Sequence, residues 1–503
     1  MKRTVILPLL SVILAGCAQS PSDVSLFPAN KAKKVNIDTH LVLTFKEAPT
    51  VGTSGFIRVF DAATGEAVDS LDLSLPAGLT QSRTYGDECD YIKTPYDYSR
   101  EFMATNRNTV PGTPSGGAEP TPRDMQLNII GGFTDGFRFH PVIVHDNTAT
   151  IYLHNNMLEY GHRYSVTIDE GAIVAEGFKG ISKGEWTFST KASGPKDIHH
   201  LSVDCSGKAD FSTVQGALDA IADFDQDTTW VNVAAGDYEE IVYARNKSYV
   251  VLTGAGMDET KVHYANNEVF NPHPLLLKTN EKFGTFPSRR AAFALDNCAD
   301  IIIEGMTIAT DLYGQAEGLL LNGERIAMYD VRIIGSGDAL QANGTVYMED
   351  SEIDGGGDTI LGRGSLFAYH CKFINDGGPF SWVRNFKPAH GDVFVECHFE
   401  GKEGRQADFG RSGNNHGQIY PDAEFVVINC TTRNFNPLGW SAIGMPTNNM
   451  LEFATRDADS GQLVDVSQRH AFSRQLDAVA DAAIIANYSN PAFVLNGWLP
   501  ERH

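Results

Sequence analysis

Apolar and polar residues alternate with a period of two along most of the chain, and the punctuation between the alternating runs divides it in two. From Val35 the runs are short and separated by turn signals: VNIDTHLVLTF, GFIRVFDAATGEAVDSL with Thr64-Gly65 at a turn, TATIYLH at 148–154, then HRYSVTID and GEWTFST within 162–190. Such runs predict an antiparallel sandwich over 35–192. A Pro-, Gly- and Asn-rich insertion near 105–125 predicts a long surface loop. The Pro-, Ser- and Lys-containing stretch 18–34 reads as a tether, and KASGPKDIHH (191–200) as a linker.

Beyond the linker the pattern changes. VDCSGKADFSTVQGALDAIADF predicts a strand, a turn and an amphipathic helix, with Val214, Ala217, Leu218 and Ile221 at helical spacing. Strand phrases follow (TWVNVAAGDYEEIV, SYVVLTGAG, DNCADIIIEGMTI) and then a series in one phase: YDVRI, EDSEI, YHCKF, VECHF and INCTT. Asp330, Asp350, Cys371, Cys397 and Cys430 form a row through this series at intervals of 20, 21, 26 and 33. A recurrent residue at one phase of a coil predicts an all-β, right-handed parallel β-helix over 200–503, with stacked thiols that need not be bonded. The widening intervals put long loops on one face, and 470–484 is predicted helical.

The stretch from Tyr329 to Arg363 states the coil phrase twice. In each copy an Asp enters the strand (Asp330, Asp350), a Gly-rich corner follows, and a second Asp closes the phrase (Asp338, Asp358) eight residues later. On adjoining rungs, strands about 4.8 Å apart would bring the last two carboxyls within roughly 4–6 Å. At an effective dielectric near 20, unit charges about 5 Å apart repel by about 3 kcal/mol, so the pair is expected to share one proton at neutral pH. That places an acid beside a base or nucleophile.

Composition narrows the partners. With 40 Lys and Arg against 63 Asp and Glu, the formal charge of −23 argues against nucleic acid or an anionic surface as the main partner. Lys2, Arg3 and an apolar run to Leu14 read as an export signal. Leu14-Ala15-Gly16-Cys17 resembles a bacterial lipobox, which implies lipid on Cys17, and Ala18 implies the outer membrane. Neither CxxC nor HxH occurs, so a metal site has little support.

The residues from about 200 to 503 resemble the pectin methylesterase family of carbohydrate esterases. DCSGKADFSTVQGALDAI looks like the family's opening phrase and Gly236-Asp237-Tyr238-Glu239-Glu240 like its GxYxE motif. GQAEGLLL resembles QAxAL, GSGDAL resembles YQDTL, GGGDTILG resembles VDFIFG and FGRSG resembles LGRPW, all in family order; Pro437-Leu438-Gly439-Trp440 and Trp498-Leu499-Pro500 match its terminal phrases. The resemblance implies cofactor-free hydrolysis of galacturonan methyl esters on a β-helix. Asp358 would be the nucleophile, Asp338 the acid and then base, Arg411 the holder of the ionised Asp358, and Gln315 the oxyanion donor. Thr285 and Trp440 would contact sugar, although Trp440 is equally suited to the core. The other half, 35–192, has a strand pattern that resembles that of bacterial Ig-like domains.

Departures from the family pattern concern the substrate more than the reaction. Gly337 stands where a Gln is usual, and Ser412 and Gly413 replace the Pro and Trp of LGRPW. Gln341 is a substitute for the lost amide, and Arg363 is a rival to Arg411 because LGR (361–363) echoes FGR (409–411). The leading expectation is a monomeric, lipid-anchored pectinesterase that prefers highly esterified polymer, whose own charge is masked. An acyl-thioesterase on the same fold and a non-catalytic glycan-binding β-helix are the rival expectations.

Overall fold

The structure is a computed structural model that describes residues 24–77, 126–131, 137–268, 270–271, 289–312, 314–412, 419–443 and 449–502. The export leader with Cys17, the insertion at 105–125, Thr285, Gly413 and Cys89 lie outside the described residues.

The N-terminal part pairs most of its strands into two main sheets around one core, with two short two-stranded sheets beside them among the described residues. One sheet runs Ser25–Phe27, Leu41–Thr44, Thr148–Ile151, Val142–His145; the other runs Ala32–Val35, Ile181–Thr190, Arg163–Ile168, Phe56–Asp61, Ala67–Asp72. All pairings are antiparallel except the edge strand Ala32–Val35, which runs parallel to its neighbour. Period-two alternation turns Leu41, Leu43, Ile57, Val59, Ala149, Ile151 and Val166 inward onto Trp186 and Phe188. Two of these strands fall inside the stretch expected to be a tether. Their Pro and Lys content marks edge strands as well as linkers, so composition alone could not separate the two.

From His200 onward the chain winds into a coil of parallel strands that forms one continuous sheet of 22 strands among the described residues. Each strand pairs with its equivalent one turn later, as Leu319 does with Leu340 and Leu340 with Ile360. Three ribbons result. We call the one containing residues 340–342, 360–362 and 378–383 the groove sheet; the second contains Ser365–Tyr369 and Gly391–Val395, and the third Lys372–Asn375 and His398–Gly401. Inward side chains fill the coil, and between the later turns they are largely aromatic. Phe373 stacks on Phe399 at 5.1 Å and meets Phe394 edge-on at 5.1 Å.

The helix Val214–Ala220 plugs the first end of the coil, burying Val214, Ala217 and Leu218 in the same core. Its first turn is held from two directions. Asp38 of the N-terminal part accepts from the backbone N–H of Ser212 and Thr213, while Glu240 accepts from those of Val214 and Gln215. At the other end the chain returns along the second sheet, where Val494, Leu495 and Trp498 pack on its outer face. The helix expected at 470–484 is instead a strand, Ser473–Gln475, and a turn. Helix begins only at Ala482 and runs to Tyr488.

The coil row also needs correction. Asp330 and Asp350 are not in register with the cysteines; they sit one residue earlier, in a row of left-handed turn residues with His370, Glu396 and Asn429, at φ between 50° and 55°. Asp and Asn tolerate this conformation better than most side chains. The inward position that follows holds Ser351, Cys371, Cys397 and Cys430, all buried. The described cysteines are free thiols, and Cys371, Cys397 and Cys430 each donate to the carbonyl two residues back.

Candidate active site

The outward face of the groove sheet carries a single row of side chains, one per rung: Tyr243, Ala294, Leu320, Gln341, Leu361, Trp382 and Arg411. Asp338 and Asp358 stand at the strand entrances of two adjoining rungs, each two residues before a paired position, Leu340 and Ile360. A left-handed glycine precedes each of them, Gly337 at φ 76° and Gly357 at φ 55°. The Gly-rich corners of the repeated phrase are therefore what aim the two carboxyls at one place.

Gly337 is more than a missing amide. A Cβ there would lie 2.8 Å from the carbonyl oxygen of Gly314, so the backbone path itself excludes the Gln usual at this position.

Asp358 is gripped by Arg411, whose Nε and Nη2 donate to its two carboxylate oxygens at 2.7 and 2.6 Å. This is the planar two-pronged pairing to which only Arg is suited. The Arg411 guanidinium lies 4.1 Å from the centre of the Trp382 ring, and that of Arg384 lies 4.4 Å from it. Arg363 is in a different place: it lines a cleft with Asn343, Thr345, Phe386 and Trp498, at the corner between the groove sheet and the second sheet. It is not the partner of Asp358.

Asp338 has a separate support that the sequence did not signal. Arg290 donates to it at 2.8 Å, to both oxygens of Glu317 at 2.9 and 2.8 Å, and to the Gln315 side-chain oxygen at 2.5 Å. Arg290 and Glu317 are buried, Glu317 completely. Burial pushes the Asp338 carboxyl up to about 7; Glu317 and Asp358 add to the shift while Arg290 and Arg384 oppose it. At neutral pH this carboxyl therefore holds its proton far more readily than a free Asp does. For Arg290 burial works against the charge, but Glu317 and Asp338 outweigh it and raise its pKa.

The same network orients Gln315. An Arg only donates, so the end of the amide facing Arg290 is the oxygen, and the NH2 end is the one presented elsewhere. Gln341 is buried in the outward row, on the rung of Asp338. Trp440 corrects the expectation of a sugar contact: it is fully buried, packed between Phe409 and Phe425 with ring centres 5.2 Å from each. A left-handed Gly439, at φ 74°, turns it into the coil. The row itself holds two aromatics: Tyr243 at its first rung, packed against the N-terminal part, and Trp382 beyond the rungs of Asp338 and Asp358.

Residues 200–391 match the Pectinesterase family model. Probable pectinesterase 8 of Arabidopsis thaliana is 26% identical over 302 residues, covering 57% of this chain and 73% of its own. Pectinesterase 31 of the same plant is 24% identical over 255 residues, covering 49% and 78%. Among solved structures, the pectin methylesterase of carrot aligns with a TM-score of 0.47 at 16% identity over 61% of this chain and 95% of its own. Pectin methylesterase PemA of Erwinia chrysanthemi aligns with a TM-score of 0.45 at 16% identity over 60% and 98%. The part of the chain that carries Asp338, Asp358 and Arg290, residues 200–391, is thus a match to the pectinesterase family.

Proposed function

We propose that the protein hydrolyses the methyl esters of pectin, with Asp358 as nucleophile and Asp338 as proton carrier. The observation that carries this reading is the asymmetry of two neighbouring carboxyls. One is locked in a two-pronged ion pair with Arg411, and the other is buried and raised to about 7. Two like groups in unlike surroundings divide nucleophile from acid.

In the first half-reaction an Asp358 oxygen attacks the ester carbonyl carbon, and the negative charge moves to the carbonyl oxygen, where the Gln315 NH2 donates to it. The C–O bond to the methoxy group breaks as the Asp338 proton passes to the leaving oxygen. Methanol departs and an acyl anhydride joins the galacturonyl group to Asp358. Asp338, now ionised, takes a proton from water. The resulting hydroxide attacks the anhydride, restoring the Asp358 carboxylate and leaving a galacturonate acid. Arg411 fixes the nucleophile's orientation in both halves, and Trp382, under its guanidinium, gives the groove an aromatic wall.

The direct test is to mix the purified protein with highly esterified pectin and to measure methanol and titratable acid together. Equal amounts of both are the expected result, and methanol-free incubation would refute the reading. The family match gives no support to the acyl-thioesterase or glycan-binding readings. From the leader we further propose an outer-membrane lipoprotein anchored through Cys17. Metabolic labelling with a radioactive fatty acid should mark the wild type and leave Cys17→Ala unmarked.

A further inference from the structure

We propose that the N-terminal domain is the end wall of the substrate groove, placed so close to Asp338 that the enzyme removes esters at the end of a galacturonan chain rather than along it. This rests on the esterase reading above and concerns which sugar residue is attacked.

The outward row of the groove sheet is occupied from its first rung. Tyr243, Ala294 and Leu320 belong to one buried cluster with Phe137, Phe139 and Tyr152 of the N-terminal domain, and Leu320 has no exposed surface. The contact is a fitted one. The ring of Phe137 lies 5.3 Å from that of Tyr243, with the Arg289 guanidinium 5.0 Å from the centre of the Phe137 ring. The Gly131 backbone runs so close that a Cβ there would meet the Tyr243 carbonyl oxygen at 2.1 Å.

Residues 268, 270 and 271 between them touch both the wall and the site. The Arg138 backbone N–H donates to Asn271 at 2.8 Å, and the Asn271 amide donates back to the Arg138 carbonyl at 3.1 Å. His140 stacks on Phe270 at 4.9 Å. From the same loop the Glu268 N–H donates to the backbone oxygen of Gln315 at 2.9 Å.

Rung order then limits the substrate. Leu320, a fully buried member of that cluster, pairs directly with Gln341, which shares its rung with Asp338; Asp358 is one rung further. A rung is about 4.8 Å wide, comparable to the length of one pyranose ring. A galacturonate methyl ester seated over the two Asp rungs would have its neighbour on one side over the Leu320 rung, where the N-terminal domain lies. On the other side the row continues past Trp382 and Arg411. The chain leaves the site in one direction only, which makes the reacting residue a terminal one.

The test uses the full chain and a fully methyl-esterified galacturonan hexamer, with fragmentation mass spectrometry of the first mono-acid product. The free acid is expected at one terminal residue. On pectin of fixed ester content, halving the mean chain length should double the rate of methanol release. First products distributed over interior positions, or a rate indifferent to chain length, would overturn this inference and leave the esterase reading standing. No methanol from either substrate would remove both.

Discussion

At the scale of single residues, the site depends on two arginines with different tasks. Arg411 holds Asp358 by both oxygens, and Lys cannot copy that fork. Arg411→Lys is expected to lower kcat by about two orders of magnitude with little change in KM, the signature of an interaction used in the transition state. Arg290 is buried between Asp338 and Glu317. Removing it alone strands a buried carboxylate, at a cost of about 3–5 kcal/mol, whereas replacing both members of a buried pair by apolar residues is often neutral. Arg290→Met should therefore unfold at markedly lower denaturant than Arg290→Met combined with Glu317→Leu. Because Asp338 must be protonated to release methanol and sits at about 7, activity should fall as pH rises beyond about 7. Of this site, the closeness of Asp338 and Asp358 was legible in the repeated phrase, and the places of Arg411 and Gln315 only through the family phrases FGRSG and GQAEGLLL. Arg290, Glu317, Arg384 and Trp382 were not: they meet across rungs that share no phrase, and only the register brings them together.

At the scale of elements, the coil is made by parallel register and filled by what points inward. The period-two pattern and the repeated phrase made the β-helix legible, but not the offset of its rows. A one-residue slip exchanged left-handed Asp330 and Asp350, half-buried and exposed respectively, for the buried positions Val331 and Ser351. The expected helix at 470–484 failed for a related reason: apolar spacing there is satisfied by packing against the end of the second sheet, where Ser473 pairs with Met450. The aromatic interior gives this scale its own prediction. Phe373 touches Phe380, Phe394 and Phe399, and Phe373→Ala should cost about 3–5 kcal/mol in urea unfolding. Trp440 belongs to the same filling, so Trp440→Phe should lower stability more than it changes KM.

At the scale of the whole molecule, charge and burial set the response to pH. Burial raises Glu240 to about 7, Asp392 to about 6 and Asp338 to about 7, and it raises Asp38 and Asp219 as well. A carboxyl with a folded pKa above its unfolded value leaves the folded state holding more protons between the two. The stability it contributes is full below the unfolded value, near 4, and is lost as pH rises through the folded one. Thermal unfolding is therefore expected at a higher temperature at pH 5 than at pH 8, and Glu240→Gln should flatten that difference. The net charge of −23 acts in the same sense, since acidification relieves self-repulsion. It also favours esterified over bare polygalacturonate at low salt, a preference readable in initial rates. The two-part organisation was legible in the sequence; the covering of the groove sheet by the N-terminal part was not, because Phe137 and Tyr243 are distant in the chain and follow no common pattern.

One measurement bears on all three scales, because it asks whether the Asp358 carboxylate forms the bond. Asp358→Asn keeps the shape of the side chain and removes the nucleophile. Methanol release from highly esterified pectin, with folding verified by circular dichroism, should fall by about three orders of magnitude or more. Release at the wild-type rate would contradict the account.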